Sequence, residues 1–421
     1  MFIQSYDVHQ IHKQCPVHWP RAIALVDMNA FFASIEQMDH PEWQGLPVGV
    51  TNGKQGTCII TCSYEARAYG ICTGMRVKHA RQLTNEFIQA PARPERYAAV
   101  STAIMESLKD ITPDVEIFSV DEAFLDITKC QRLFGTPMRM AHMIKRRVYE
   151  ASGLHCSVGV SGDKTTAKYA AKLNKPNGLT LIPPWEAEAR LIEVPVTELC
   201  GINQGIGRYL ASHGVTRCGE MKRLPISVLA RRFGNPGRRI WYMCQGKDPD
   251  PLHQIVPDPK SIGHGKVMPP NTIDVGVIKM YLMHMAHKVG ARLRKHHLAA
   301  TQFSIGLMSN YGWIGSKYRA VMATNDSKVI GQMCLGMLQG CWDGEGVSQV
   351  HITALDPQPN HSQHDMFIVT DNKQDRVNAA MDDVNTRYGE FTLAPARLIH
   401  RSTMPNVISP AWKPTGHRQT I

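Results

Sequence analysis

Apolar residues along the first 180 positions are spaced for strands and helices in alternation. Ile23 to Val26 form a run typical of a buried strand, Asp27 ends that run, and Asn29 is placed to cap the helix that follows. Two longer amphipathic stretches predict helices at 97–111 and 139–151. This order predicts an α/β fold with carboxylates near the ends of strands.

The segment IFSVDEAFLDIT, residues 117–128, has strand character but carries two adjacent carboxylates, Asp121 and Glu122. Neighbouring side chains on a strand point to opposite faces, unless a turn falls between them. Either one carboxylate faces a core or the chain bends at the pair, and a buried carboxylate is costly unless a cation or donors compensate it. A plain hairpin turn is an equally good interpretation of this segment taken alone.

The next elements are shorter and end in a helical region. A strand pair is predicted at 48–50 and 57–62, followed by a short helix over 63–70. Residues 195–248 have a helical pattern throughout. The polar, proline-rich stretch 247–260 is typical of a linker.

Beyond this linker the pattern predicts a βαββαβ module. Its elements are strand 260–268, helix 276–297, strands 301–309 and 315–322, helix 326–340 and strand 347–355. The first of these helices carries an apolar stripe suited to a core, formed by Ile278, Leu282, Met285, Val289 and Leu293. A last amphipathic helix is predicted near 374–388, in a polar C-terminal segment.

Charge composition adds a class of partner to this picture. The 421 residues include 47 Lys and Arg against 36 Asp and Glu, a formal net charge of +11. Such an excess favours a polyanionic partner such as nucleic acid or a membrane surface. We therefore expect the basic face of the helix at 276–297 to contact DNA phosphates through Lys288, Arg292, Arg294 and Lys295.

Cysteine spacing and the first residues give no sign of export. The 11 cysteines form no C-x-x-C pair, so we expect reduced thiols used for packing and no zinc. The first 20 residues lack an apolar signal core. No stretch reaches the roughly 18 apolar residues of a membrane-spanning helix. We expect a cytoplasmic protein with no membrane partner.

Five motifs, in the right order, resemble those of the Y-family translesion DNA polymerases. They are ALVDMNAFFAS, TCSYEARAYGI, FSVDEAFLDIT, SVGVSGDKTTAKYAAKLNKPNGL and KSIGHGK. The resemblance covers roughly residues 21–356 and is closest to the bacterial polymerase IV and polymerase V types. It implies a low-fidelity, template-directed polymerase that inserts deoxynucleotides opposite damaged template bases, with primer-template DNA and deoxynucleoside triphosphates as partners.

The resemblance also implies a multidomain α/β architecture of the right-hand type, with a ferredoxin-like palm, small fingers, a helical thumb and a βαββαβ little finger. The expected boundaries are 21–30 and 94–182 for the palm, 31–93 for the fingers, 183–248 for the thumb, 249–259 for a linker, 260–356 for the little finger and 357–421 for a C-terminal tail.

A polymerase of this type needs charge neutralisation and positioning more than covalent help. Two Mg²⁺ ions about 3.5–4 Å apart can clamp the attacking and leaving oxygens, and Mg²⁺ prefers carboxylate ligands. The resemblance assigns Asp27 and Asp121 to both ions, in a bent hairpin that faces Asp27. Glu122 would serve the primer-end ion and the Met28 carbonyl the nucleotide-side ion, and Mn²⁺ can substitute.

The resemblance places a second set of residues at the incoming nucleotide. Tyr64 and Arg67 lie three apart on one helix face and are assigned to its phosphates. Lys175 and Thr61 are expected beside them.

Two further pairs would enclose the base and the sugar. Cys58 and Ile60 would form a small roof over the nascent base pair, which suits a damaged template base. Phe32, with Phe31 beside it, matches the steric gate, an aromatic ring that would clash with a 2′-hydroxyl and so select deoxynucleotides. Taken alone, both phenylalanines would be assigned to a core.

The sequence CGIN at 200–203 resembles half of a helix-hairpin-helix, in which turn amides hold a DNA phosphate. Asn203 replaces the usual second glycine, and Asn tolerates a left-handed conformation. DNA contacts are therefore expected at Gly201, Asn203 and Gly205.

Other functions share part of this pattern. A nucleotidyl cyclase shares the metal-binding palm but lacks the fingers motif, the helical hairpin and the C-terminal module. An inactive relative would have lost the carboxylates. Within the family, NTRYG at 385–389 favours the polymerase V type, for which accessory subunits are expected, whereas the compact core also fits polymerase IV.

The segment QHDMF at 363–367 resembles the short bacterial motif that docks on the sliding clamp, through Gln363, Met366 and Phe367. Tethering to a clamp would turn weak DNA binding into persistent synthesis. Replacing Met366 and Phe367 with Ala should leave extension of short primers intact and remove any clamp-dependent gain in product length. A direct titration in which the double variant binds clamp with unaltered affinity would show that the segment is only a linker.

Overall fold

The computed structural model describes residues 18–360, 373–403, 406, 408–409 and 411–419. These residues form two compact units, which are described separately. The first unit extends to Val256 and also includes the described residues from 406 onward, and the second begins at Pro257 and includes the described residues up to 403. Among the described helices, none has the length and apolar character needed to cross a membrane.

The first unit is built on a five-stranded sheet in the order β5-β6-β1-β7-β8. Its strands are β1 (Ile23–Met28), β5 (Val115–Ile117), β6 (Glu122–Asp126), β7 (Cys156–Ser161) and β8 (Leu179–Leu181). Residues 117–128, for which a strand and a hairpin were both open, form part of a hairpin with a bend between β5 and β6. The central strand β1 is antiparallel to both of its neighbours.

Both faces of β1 are covered, and its residues alternate between them. Ala24 and Val26 belong to the large core that includes α4 (Pro94–Leu108) and α6 (Pro137–Ser152). Ile23 and Leu25 pack on the other face with Phe124 of β6 and with α7 (Lys164–Leu173). The helices predicted at 97–111 and 139–151 are confirmed, and each begins at a proline two or three residues earlier.

Helix α7 lies unusually close to the sheet. A Cβ added to Gly159 of β7 would lie 2.2 Å from the carbonyl oxygen of Ala167 in α7. The N-terminus of α7 is capped by Asp163, which accepts a hydrogen bond from the Thr166 amide at 2.8 Å. This close approach fixes where the side chains of α7 meet the β5-β6 hairpin.

Residues 31–91 form a smaller layer, in which residues 59–80 have a core of their own while the buried apolar residues of 31–50 belong to the large core. A three-stranded sheet has the order β3-β2-β4. In chain order, the strands and helices of this layer are α1 (Phe31–Asp39), β2 (Val48–Thr51), β3 (Ile59–Cys62), α2 (Tyr64–Ala68), α3 (Val77–Leu83) and β4 (Ile88–Pro91). The predicted strand pair and short helix are confirmed, except that β3 begins two residues later than expected.

Helix α5 (Gln131–Phe134) lies between β6 and α6, and α8 (Ala187–Leu191) leads from the central sheet to a helical region. That region comprises α9 (Gln204–Ala211), α10 (Ile226–Phe233) and α11 (Asn235–Met243), joined by 3-10 turns around a separate core. The helical character predicted for 195–248 is confirmed.

The first half of the expected linker, 249–259, is not a free connection. Asp250 accepts a hydrogen bond from Lys164 at 2.8 Å and contacts Arg239 at 3.1 Å. The His253 amide donates to Glu116 at 2.9 Å. The polar residues that suggested a linker are therefore partners in a charge network of the first unit.

The second unit confirms the βαββαβ order. Its elements are β9 (Ile262–Thr272), α12 (Val275–Lys295), β10 (Leu298–Ser309), β11 (Gly312–Thr324), α13 (Ser327–Cys341) and β12 (Val347–Ala354), with a short β13 (Gln358–Pro359) and a C-terminal α14 (Lys373–Tyr388). The antiparallel sheet has the order β11-β10-β12-β9. All five residues of the predicted apolar stripe on α12 are fully buried in the core of this unit.

The expected DNA contact of the basic face of α12 is wrong for three of its four residues. Lys288 pairs with Glu390 at 2.9 Å, and Arg294 holds Asp382 of α14 through two bonds of 2.6 and 2.9 Å. Arg292 donates to the Gly263 carbonyl at 2.7 Å. Of the four, only Lys295 is exposed. The acidic partners come roughly 90–100 residues later in the chain, so helical periodicity could not reveal them.

The C-terminal segment also contributes to the first unit. Ile408 and Trp412 are each only 2% exposed and belong to the large core around β1. The polar composition of this segment gave no indication of that role.

Replacing Trp412 with Ala should destabilise the first unit by about 3–5 kcal/mol, because it empties a buried aromatic site. Urea denaturation followed by circular dichroism would measure the loss. Trp313 of β11 is 55% exposed, so Trp313→Ala serves as the aromatic control and should change stability by about 0.5 kcal/mol or less. Equal unfolding midpoints for the two variants would show that Trp412 is not a core residue.

Candidate functional site

The strand register brings two of the predicted carboxylates side by side. Asp27 is paired directly with Glu122 across β1 and β6. Alternate residues of a strand share one face, so Asp27 lies on the same face of the sheet as Ile23 and Leu25, and Glu122 lies on the same face as Phe124. That face is the one covered by α7. This pairing confirms that the hairpin faces Asp27.

The third carboxylate, Asp121, stands in the bend just before β6. The Phe118 and Ser119 amides both donate to the Glu122 carbonyl, at 3.0 and 3.1 Å, which closes the turn. The Ser119 hydroxyl donates to Asp121 Oδ1 at 2.7 Å, and the Asp121 carbonyl accepts from the Met28 amide at 3.0 Å. The bend therefore gathers the acidic pair at the end of β1, which a regular strand could not do.

The surroundings of Asp27 and Asp121 disfavour the negative charge of these two carboxylates. Burial raises the pKa of Asp27 to about 7, and the charges of Glu122 and Asp121 add to the rise while Lys175 opposes it. Burial also raises the pKa of Asp121, and the charge of Glu122 adds to it while the Ser119 hydroxyl opposes it. A cluster of carboxylates with raised pKa values is typical of a functional site that receives positive charge.

Two lysines supply positive charge in the structure. Lys175 Nζ lies 2.5 Å from Asp27 Oδ1. Lys168 Nζ contacts Glu122 Oε1. Sequence reasoning found Lys175 but missed Lys168, although Lys168 stands one helical turn after Lys164 on α7.

The donor set fits a hard divalent cation. Carboxylate and backbone carbonyl oxygens, from Asp27, Met28, Asp121 and Glu122, are ligands that Mg²⁺ and Mn²⁺ accept. Within the described ranges, no three Asp, Glu, His or Cys side chains are arranged as a ready metal cage. The carboxylates contact Lys175, Ser119 and Lys168, so ligation requires them to exchange partners.

Asn29 has a different role from the predicted helix cap. Its amide nitrogen donates to the Ser157 hydroxyl at 2.9 Å, and its amide oxygen accepts from the Asn177 backbone at 2.7 Å. Ala30 occupies the N-cap position of α1, without a side-chain bond. Asn29 thereby ties the turn after Lys175 to the end of β1.

Phe31 and Phe32 open α1 and are 3% and 9% exposed. The ring of Phe32 is stacked on Tyr97 of α4, with centroids 4.3 Å apart and planes 12° from parallel. The Tyr97 hydroxyl donates to the buried Glu36 carboxylate at 2.6 Å, which Arg93 also holds. Tyr97 thus supports one face of the Phe32 ring, and sequence reasoning missed this residue.

The short helix α2 brings Tyr64 and Arg67 together as predicted, with the guanidinium 4.6 Å from the centre of the Tyr64 ring. The Tyr64 hydroxyl is buried and has no hydrogen-bond partner among the described residues. Arg67 is exposed. The Arg67 guanidinium is therefore accessible to a ligand oxygen, and the Tyr64 hydroxyl is a buried donor without a partner among the described residues.

The three remaining residues predicted on this layer lie along or beside β3. Ile60 and Thr61 are half-buried within the strand. Cys58 is exposed and precedes it. Small or medium side chains thus occupy the positions assigned to the roof.

The expectation that Asn203 takes a left-handed conformation is wrong. Gly201 has φ +96°, but Asn203 has φ −79° and ψ 173°. Asn203 caps α9 through a bond from the Ile206 amide to its side chain at 2.9 Å, and Gly205 lies inside that helix. Asn203 thus contributes as a helix cap. The QHDMF segment at 363–367 lies outside the described residues.

Comparisons with known proteins match most of the chain. The model of the impB/mucB/samB family matches residues 26–172, and that of the family's C-terminal domain matches residues 259–366. A DNA polymerase IV of Moorella thermoacetica is 33% identical over 389 residues, which cover 90% of this chain and 95% of the relative. A DNA polymerase IV of Clostridium kluyveri is 30% identical over 400 residues, which cover 91% and 99%.

A solved structure gives the same match in three dimensions. A Y-family DNA polymerase chimera superposes with a TM-score of 0.70 at 26% identity, over 80% of this chain and 100% of the chimera.

Proposed function

The chain belongs to the Y-family of DNA polymerases, of the polymerase IV type, and we propose that it extends primers across damaged template bases by two-metal phosphoryl transfer. The observation that carries the mechanism is the gathering of Asp27, Asp121 and Glu122 at one end of the central sheet, on or beside the face covered by α7. Because its relatives are of the polymerase IV type, we propose that it acts without the accessory subunits expected for polymerase V. Its substrate implies a location in the bacterial cytoplasm.

Asp27 and Asp121 would bind both ions of the site. Glu122 would hold the ion at the primer end, and the Met28 carbonyl the ion at the nucleotide. Mg²⁺ held by these residues, or Mn²⁺ in its place, would supply charge neutralisation for the attacking 3′-oxygen and the leaving pyrophosphate. The raised pKa values of Asp27 and Asp121 support this assignment, because they indicate carboxylates that gain from nearby positive charge.

The triphosphate of the incoming nucleotide would bind at α2 and at the turn after α7. The unpartnered Tyr64 hydroxyl and the exposed Arg67 guanidinium supply donors, and Arg is well suited to phosphate oxygens. Lys175 would exchange Asp27 for a phosphate oxygen as the nucleotide arrives, and Thr61 would help on the same side. This exchange would free the Asp27 carboxylate to bind the metal ions when the nucleotide arrives.

The base and sugar would lie between β3 and α1. Cys58 and Ile60 leave a roof of small side chains, which would admit a damaged template base at the expense of fidelity. Phe32, beside Phe31, would exclude the 2′-hydroxyl of a ribonucleotide. Its stacking on Tyr97 supports that role, because a gate that cannot move aside discriminates more strongly.

We also propose the palm, fingers, thumb and little-finger division of the chain at its predicted boundaries. Separate hydrophobic cores support the thumb and the little finger, whereas the large core includes buried residues on both sides of the boundary expected between palm and fingers. Duplex DNA would be held in part by turn amides around Gly201, Asn203 and Gly205, and the net charge of +11 favours such a partner. A sliding clamp would dock on the QHDMF segment.

Asp121→Ala and Glu122→Ala should each abolish primer extension in Mg²⁺ with little loss of stability, because each removes a metal ligand and relieves repulsion. Asp126→Asn is the matched control, since Asp126 stands at the far end of β6 and accepts from the Thr128 amide at 2.9 Å, which Asn can also do. Near-normal extension by either alanine variant would refute the assignment.

Phe32→Ala should admit ribonucleotides, because it removes the ring beneath the 2′ position. Phe32→Tyr keeps the ring and should keep the selectivity. Single-nucleotide insertion of dCTP and rCTP measures the ratio for each variant. A ratio that does not change in Phe32→Ala would place the gate at another residue.

A further inference from the structure

Helix α7 carries three lysines spaced one turn apart, and each contacts a different carboxylate. Lys164 meets Glu116 at 2.7 Å, Lys168 meets Glu122, and Lys172 meets Glu198. The first pair is buried and the last is exposed. Only Lys168 contacts one of the three carboxylates of the candidate site.

The ammonium group of Lys168 is fixed against the hairpin that carries Glu122. It lies 4.6 Å from the centre of the Phe118 ring. Phe118 packs edge-on against Phe124 at 5.4 Å, and its amide donates to the Glu122 carbonyl at 3.0 Å. A cation over an aromatic face and beside a carboxylate is stabilised from two sides, so Lys168 needs no other partner.

We propose that Lys168 forms an ion pair with Glu122 that the primer-end metal ion must displace, and that Lys168 thereby lowers the affinity of the site for that ion. The inference rests on the proposed function, because it assigns Glu122 to that ion. It adds an antagonist of metal binding to the site, which neither the motifs nor the family relation assigns.

The contact makes Lys168 a competitor of the ion. A divalent ion bound to Glu122 would lie within a few ångströms of the ammonium, where two positive charges repel each other in poorly hydrated surroundings. The side chain of Lys168 is 23% exposed and that of Glu122 is 14% exposed, so water screens them weakly. Positioning of Glu122 by the ion pair is a smaller effect, because the tight turn already fixes its backbone.

The two lysines of the site differ in what becomes of them when substrate binds. Lys175 gains a triphosphate as a new partner when it leaves Asp27. Lys168 gains no such anion from the nucleotide in the proposed arrangement, and the Phe118 ring retains its ammonium. The primer-end ion should therefore bind less tightly than the nucleotide-side ion, and Lys168 would cause the difference.

Binding of Mn²⁺ to the full-length protein tests the inference without relying on activity. The protein is loaded with a primer-template whose primer ends in a dideoxynucleotide, and free Mn²⁺ is measured by electron paramagnetic resonance. Lys168→Met removes the charge and keeps the stem, so Mn²⁺ should bind about tenfold more tightly, a change of about 1.4 kcal/mol. Lys172→Met, one turn along the same helix, is the matched control and should leave the affinity unchanged.

Lys168→Arg gives a second variant with the opposite sign. A guanidinium can hold Glu122 through two bonds, so Mn²⁺ should bind more weakly than to the unaltered protein. If thermal unfolding shows that Lys168→Met does not fold, Lys168→Arg still tests whether Lys168 lowers the affinity for Mn²⁺. Mn²⁺ affinity that is the same in the unaltered protein and in the folded Lys168 variants would overturn the inference and leave Lys168 a packing residue.

Glu122→Gln separates this outcome from failure of the proposed function. If Glu122→Gln binds Mn²⁺ as the unaltered protein does, Glu122 is not a metal ligand and the proposed site itself is wrong. If Glu122→Gln loses an ion while the Lys168 variants change nothing, the site stands and only the role of Lys168 is refuted.

Discussion

Repulsion among three carboxylates that share one end of the central sheet, with little water to screen them, constrains the first unit more than any other interaction. The register of β1 and β6 makes the proximity unavoidable, because Asp27 is paired directly with Glu122. The nearby elements each relieve part of the cost: the tight turn lets Ser119 bond Asp121, and α7 and the turn after it supply two ammonium groups. The close approach of α7 at Gly159 is what brings one of those groups within reach.

A second buried carboxylate, Asp248, is also compensated by donors, at the place where helices α7 and α11 meet the start of the predicted linker. Asp248 is 1% exposed and is held by Arg239 through two bonds of 2.9 and 2.8 Å. The Thr165 hydroxyl adds a third bond at 2.6 Å. The Asp250 amide also donates to this carboxylate, at 3.1 Å, and the bonds together offset the cost of its burial. The helical region is therefore joined to the sheet by a saturated polar network as well as by apolar contact.

Most of the architecture could be predicted, because it depends on periodicity within single elements. The buried run of β1 and the stripe on α12 are of this kind, whereas periodicity left the acidic segment open between a strand and a hairpin, and its bend was expected from the resemblance. The errors share a different origin. Asn29, Asn203 and Arg294 each had a plausible local role as a cap, a left-handed turn or a DNA contact, but their partners are Ser157, the Ile206 amide and Asp382. Side chains that hydrogen-bond can choose among many partners, and two of these three lie far away in the sequence. Lys168 and Tyr97 were missed for the same reason, because Glu122 and Phe32 reach them only through the tertiary fold.

The C-terminal segment has a topological consequence. The chain leaves the first unit after Val256, builds the second unit, and returns through the described residues from 406 to 419, where Ile408 and Trp412 enter the first core. The second unit is therefore inserted into the sequence of the first unit, and the chain crosses between the units at two seams, after Val256 and before residue 406. A single proteolytic cut at the first seam would separate residues 1–256 from the second unit along the chain, and the packing of Ile408 and Trp412 in the first core would then be a non-covalent link between the two pieces. A graft that exchanges this unit for that of a relative would have to match both seams, or it would remove Ile408 and Trp412 from the core that supports the central sheet.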